Sequence, residues 1–259
     1  MGSRFGGVKP VAPVGPRGEA LIAIAVEQAL TAGFDDVVAV VGPATEGPVR
    51  DVLHSLPVRY AHQVVAMGRL RPWGTVDAVL CAAALAGTTA VVVANGDDLY
   101  GSAALVVARD WIASPSTAAG AAVLFEVART LPPTGAVSRA VAVVVGSSLR
   151  GAYEERDVQL DGGAIRTGSG VELPANTLVS MNLWCLRAHG LDALRQHHAA
   201  FVGAHTDDPL VEDGLPTAVN ELIGSGLGFD AVVTDSKWYG VTWPDDVERV
   251  RRELLLDES

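Results

Sequence analysis

Residues 21–32 read LIAIAVEQALTA, an apolar segment entered through Gly18-Glu19 and closed by Gly33, which predicts a helix. Residues 37–41 are a β-branched run that ends at Gly42-Pro43, the pattern of a buried strand. The alternation continues with a helix over 46–56, a strand over 58–62, an Ala- and Leu-rich helix over 75–85, a strand over 90–94 and a helix over 102–112. Such alternation implies crossover connections and a mainly parallel, Rossmann-like sheet with helices on both faces.

After Ala121 the rhythm changes. Residues 121–127 and 138–145 are strand-like with no helix between them, and 153–160 with 164–167 form a hairpin about Asp161-Gly162-Gly163. A strand over 177–184 follows, then a helix over 186–201, a polar loop over 203–212, a helix over 217–225, a strand over 229–234 and a closing helix over 245–256. The expectation is a small antiparallel annex and a return to the parallel sheet, all within one α/β domain spanning 1–259.

Composition narrows the function classes. The 259 residues are 49% hydrophobic and carry a formal net charge of −11, with no basic run to grip a nucleic-acid backbone. A polymeric nucleic-acid partner is not expected. Apolar stretches such as 90–94 and 141–145 fall well short of the ~20 residues of a membrane span, so no membrane is expected and the cytoplasm is the default. Cys81 and Cys185 stand far apart in apolar surroundings and read as reduced, metal-free core thiols. Of 19 basic residues only Lys9 and Lys237 are lysines, so each lysine is informative.

Three segments can carry chemistry. The first, Gly2-Ser3-Arg4-Phe5-Gly6-Gly7-Val8-Lys9, combines glycines that let backbone N–H groups approach a ligand with two cations, which suits a polyphosphate. A flexible Gly-rich tail is the bland alternative. In the second, Asn95-Gly96-Asp97-Asp98 follows a buried strand, where ligands sit in open α/β sheets, and adjacent carboxylates there suit Mg²⁺. The alternative is that Asp98 caps the helix beginning near Ser102. The third is Pro72-Trp73-Gly74-Thr75 ahead of a helix, with Gly74 admitting a flat ring, Thr75 adding a hydroxyl at the positive helix end, and Gln63 able to read a base edge. The alternative is plain turn and cap chemistry, with Thr75 as the cap. His197-His198 have no carboxylate in helical register and read as a solvated face.

Taken in order, these segments resemble the sugar-phosphate nucleotidyltransferase (sugar-nucleotide pyrophosphorylase) family over nearly the whole chain. The resemblance implies a nucleotide-diphospho-sugar transferase-like, glycosyltransferase-A-like fold, with 1–120 as the nucleotide-binding half and 121–259 as the acceptor half. The implied reaction joins a nucleoside triphosphate to a sugar 1-phosphate, or a similar small phosphate, and releases pyrophosphate; self-association is left open. By that resemblance Arg4 and Lys9 hold the triphosphate and the departing pyrophosphate, with Gly2, Ser3, Gly6 and Gly7 in the loop. Gln63, Gly74 and Thr75 contact the base, and Asp97, with Asp98 beside it, binds Mg²⁺. Glu155-Arg156, similar to a Glu-Lys pair, Asn182 and Lys237 serve the acceptor side.

Two departures stand out. Many relatives carry Trp-x-Asp as a second metal carboxylate, whereas Trp238-Tyr239-Gly240 puts Gly there, leaving Asp98 or Asp235 as substitutes. In the family the phosphate loop follows a central strand; here Met1 reads as internal to the loop and that first strand is expected to be missing. A non-catalytic nucleotide- or sugar-binding relative is the rival reading, and a glycosyltransferase would show an Asp-x-Asp that Asp97-Asp98 does not supply.

Overall fold

The computed structural model describes residues 7–87, 90–241 and 244–257. Helix α1 (Leu21–Thr31) ends where Gly33 takes φ +93, a conformation open to glycine at little steric cost. Strand β1 (Val37–Val41), helix α2 (Glu46–Leu53) and strand β2 (Val58–His62) follow, and β1 and β2 pair in parallel from Val37↔Val58 to Val41↔His62. Next come α3 (Thr75–Ala86), β3 (Ala90–Val93), the two-residue β4 (Asp98–Leu99), α4 (Ser102–Ala113) and β5 (Gly120–Glu126).

The second half supplies β6 (Val137–Val145), the long β7 (Ser148–Asp161), β8 (Ala164–Arg166), β9 (Glu172–Leu173) and β10 (Leu178–Arg187). It closes with α5 (Ala188–Ala204), α6 (Leu215–Gly224), β11 (Phe229–Thr234), β12 (Tyr239–Gly240) and α7 (Pro244–Asp257).

The sheet is mixed, which corrects the mainly parallel expectation. Strand β10 pairs antiparallel with β3, β5 and β6, and β6 to β9 continue antiparallel; only β1–β2 and β5–β11 are parallel pairings among the described residues. Leu183 to Leu186 are fully buried, so β10 is covered on both faces and reads like a parallel core strand, but burial on two faces does not encode direction.

Alternation sorts the core into two layers. Val123 and Phe125 of β5 pack with Leu105, Ala108 and Trp111 of α4 on one face. Ala122 and Leu124 pack with Val76, Val79, Leu191 and Leu194 of α3 and α5 on the other.

The edge of β1 away from β2 and the edge of β3 away from β10 have no strand partner among the described residues. Between them lies a cavity of about 650 Å³, walled by Ile22 and Ala25 of α1, Ala78 and Ala82 of α3, and residues of both strands. One end of it reaches Thr75, Asn95, Gly96, Asp98 and Asn182.

Candidate active site

Lys9 starts a single 3-10 turn, Lys9–Val11, in which Pro10 presets the backbone and Ala12 N–H closes on Lys9 O at 2.9 Å. This turn delivers the ammonium to the acid pair that follows β3: Lys9 Nζ lies 3.8 Å from Asp97 Oδ2, both side chains partly exposed. Gly7 is exposed. Gly2, Ser3, Arg4 and Gly6 lie outside the described residues.

Asp98 faces inward and is no helix cap; the residue before α4 is Gly101 at φ +76. Asn95 Nδ2 donates to Asp98 Oδ2 at 2.8 Å, and the Tyr100 hydroxyl, 3.4 Å from the same oxygen, donates to Met181 O at 2.8 Å. Burial, and then the charge of Asp97, push the Asp98 carboxyl up to about 7, the hydrogen bonds offsetting part of the rise.

Strand β12 places Gly240 opposite Asp98, and the Trp238 indole fills the space where a Cβ at 240 would project. Sequence reasoning missed Arg139, a lone charge in the apolar run of β6. It is buried, donates through Nε to Thr130 Oγ1 at 2.9 Å, and holds its guanidinium carbon 5.0 Å from the Trp238 ring centre. Burial lowers its pKa to about 10, while the charge of Asp98 acts the other way.

The acceptor residues are brought together less completely. Asn182 sits at a register break in β10 with φ +63 and borders the cavity with Asp98. Glu155 stands opposite Arg139 across β6–β7. Arg156 points to solvent and pairs with Glu154 at 3.2 Å, and Lys237 reaches Glu253 of α7 at 3.4 Å; neither pairs with the acids at 97 and 98. Asp235, the other proposed metal substitute, is exposed beyond the end of β11.

The loop before α3 is built from both halves of the chain. Gln63 follows β2 and donates through Nε2 to Gly74 O at 2.7 Å and to Asp77 Oδ2 at 2.8 Å. Gly74, not Thr75, precedes the first helical residue, and its φ of +105 brings it against the backbone of Asp213. Asp213 N–H donates to Trp73 O at 2.7 Å, Val76 N–H to Asp213 O at 3.1 Å, and Leu215 N–H to Thr75 Oγ1 at 2.8 Å.

The histidines are not a solvated face. His197 Nε2 and His198 Nδ1 lie 3.1 and 2.7 Å from the two oxygens of the buried Asp213 carboxylate. The acid arrives from a loop that folds back over α5, so no spacing within the helix announces it.

Of the two thiols, Cys185 packs in the core, where burial pushes it up to about 12, and Cys81 is only half-buried on α3. No helix among the described residues is long and apolar enough to cross a membrane.

Residues 1–159 match the family model of the MobA-like NTP transferase domain. No curated protein matches the sequence. Solved structures are similar over almost the whole chain. The inositol-1-phosphate CTP transferase from T. maritima superposes with a TM-score of 0.62 at 11% identity, covering 97% of this chain and 91% of that one. HddC from Yersinia pseudotuberculosis, complexed with GMP-PN, gives 0.63 at 14%, covering 98% and 95%. The UTP-bound UGPase from Acinetobacter baumannii gives 0.62 at 14%, covering 99% and 89%. At these identities the likeness shows the fold, a mixed α/β nucleotide-diphospho-sugar transferase-like one.

Proposed function

The chain belongs to the MobA-like NTP transferase family, and from that premise we propose that it transfers a nucleotidyl group from a nucleoside triphosphate to a sugar 1-phosphate or similar small phosphate, releasing pyrophosphate. The observation that carries the reading is the meeting of Lys9 with Asp97, next to the buried Asp98, at the end of β3. Residues 1–120 form the nucleotide half in this reading and 121–259 the acceptor half.

The donor set fits Mg²⁺. Two adjacent carboxylates, one of them with its proton affinity raised by burial and then by the charge of the other, suit an ion that takes one or two carboxylates and fills its remaining positions with phosphate oxygens and water. Among the described residues no group of three or more His, Cys, Asp or Glu could cage a metal; in this reading substrate phosphates would supply further oxygens. Mg²⁺, when bound, neutralises charge on the phosphates.

The chain's own residues do the positioning. A phosphate monoester is already an anionic nucleophile at neutral pH, so no general base is needed; the protein has to align it and offset charge. Lys9, with Arg4 by resemblance, holds the leaving pyrophosphate. Thr75 presents the first N–H of α3 at the positive end of that helix, and Gln63 and Gly74 border the base. Asn182, with Glu155, faces the acceptor phosphate; Arg156 and Lys237 need a side-chain rearrangement to reach it.

The rival, a nucleotide- or sugar-binding relative without turnover, is favoured by one observation: Gly240 and Trp238 stand where a second carboxylate would face Asp98. Pyrophosphate release measured over a panel of nucleoside triphosphates and sugar 1-phosphates with Mg²⁺ separates the two. Release with one pair supports transfer, and saturable nucleotide binding without release supports the rival.

A further inference from the structure

Gln63 is held in one orientation by its neighbours. Its Nε2 faces two oxygens that can only accept, Gly74 O at 2.7 Å and Asp77 Oδ2 at 2.8 Å. A reversed amide would set Oε1 against both, so the network fixes which atom points where. Oε1 is turned away from them, and no hydrogen bond to it is made by the described residues.

Asp77 is itself tied to the far half of the chain. Its second oxygen lies 3.8 Å from His198 Nε2, and the other ring nitrogen of His198 bonds Asp213 at 2.7 Å. Asp213 is 2% exposed, His197 12% and His198 13%, so water competes little for these contacts. His197 in turn lies 3.5 Å from Glu221. Since the backbone of Asp213 bonds Trp73 and Val76, the same group fixes the loop on the other side of Gln63.

We propose that Asp77 and His198 are positioning residues that lock Gln63 with Oε1 outward, so that the site accepts nucleobases presenting an N–H donor, an exocyclic amino or a ring N–H, to that oxygen. The inference rests on reading Gln63 as part of the base subsite, and it adds how the chain fixes hydrogen-bond polarity there. Neither residue touches the phosphates in this arrangement. Their removal therefore acts on base discrimination and leaves the triphosphate grip alone.

The test is calorimetric binding of ATP, GTP, CTP, UTP and inorganic tripolyphosphate to the full chain and to Asp77→Asn and His198→Asn, with each ligand-free melting midpoint recorded. The side-chain amide introduced by Asp77→Asn can pair with either end of the Gln63 amide, so the lock is weakened and Gly74 O alone still selects the orientation. Loss of one such hydrogen bond predicts that the preferred nucleotide binds about tenfold more weakly in Asp77→Asn, with a smaller loss in His198→Asn. The preference over the other bases shrinks and tripolyphosphate affinity stays within about twofold of wild type. Wild-type base preference retained in Asp77→Asn overturns the proposal, and so does an equal loss of nucleotide and tripolyphosphate. A parent chain that binds tripolyphosphate but no nucleotide, or all four bases alike, removes the base subsite itself. If His198→Asn does not fold, Asp77→Asn, at a partly exposed position, decides alone.

Discussion

Gly240 and Asp98 face each other across the β12–β4 pair, and a Cβ built on Gly240 would lie 3.0 Å from Asp98 Oδ1 and inside the Trp238 ring. The glycine is therefore a steric requirement of the indole that covers the acid. Gly240→Ala should destabilise the fold by about 1–3 kcal/mol, the usual effect of overpacking a filled site. Gly240→Asp should do more, adding a second charge beside a buried carboxyl, and regain part of the loss in Mg²⁺. Melting midpoints with and without Mg²⁺ check both; a neutral Gly240→Ala would mean that Trp238 moves freely.

The raised Asp98 carboxyl makes stability depend on pH with a definite sign. An acid that ionises at about 7 when folded, against an ordinary value of 3.8, binds its proton more tightly in the native state. Between these values the native state holds more protons, so this group's contribution to stability falls as pH rises from about 4 to about 7. Asp98→Asn removes that slope. Urea unfolding without divalent cation should find the variant gaining on wild type between pH 4.5 and pH 8; parallel curves at the two pH values would refute the assignment.

Lys9 and Asp97 separate the two sides of the proposed reaction. Lys9→Ala should weaken triphosphate binding about 10- to 100-fold, as expected for removing a charged contact, with little effect on sugar-phosphate binding. Asp97→Asn keeps the shape but not the charge and should abolish Mg²⁺-dependent turnover with the fold intact. Unchanged activity at limiting Mg²⁺ would remove Asp97 from the site.

What the sequence made legible follows from how locally each feature is encoded. Strands 37–41 and 90–93 announce themselves as β-branched runs, and the Asp97-Asp98 pair as charge directly after one of them. Lys9 stands out because Lys237 is the only other lysine among 19 basic residues. Strands β4 and β12 have two residues each and carry no periodicity, so the closure of Gly240 over Asp98 had to be seen in three dimensions. The same holds for Asp213, which meets His197 and His198 through a loop. Arg139 was visible as a lone charge among valines and alanines, but its partner Trp238 lies 99 positions on, beyond any local pattern.

The cavity between β1 and β3 gives a last prediction. Among the described residues neither strand has a strand partner on the edge it turns toward the cavity, the walls are largely alanine, valine and isoleucine, and the volume is about 650 Å³. Unpaired strand edges with apolar walls are the surroundings that an extended segment fills, since it supplies main-chain partners to two edges and buries its own side chains. Six residues of strand reach about 20 Å, and each buried Val or Ile contributes about 1.5–3 kcal/mol. Ordering six residues costs about 6–12 kcal/mol, so a net gain takes three or four such side chains together with main-chain hydrogen bonds to both edges, and each kcal/mol gained raises the melting midpoint by about 2–4 °C for a chain of this size. The measurement compares three chains: the sequence itself, the sequence preceded by a β-branched hexapeptide ending in two small residues, and the sequence preceded by a Gly-Ser hexapeptide. The β-branched extension should raise the melting midpoint and the Gly-Ser extension should not, and hydrogen exchange at Val38, Val40 and Val92, whose backbone groups face away from β2 and β10, should slow only in the first. If the two extended chains melt together and exchange alike, the cavity does not take a strand, and its two edges are stable as they stand.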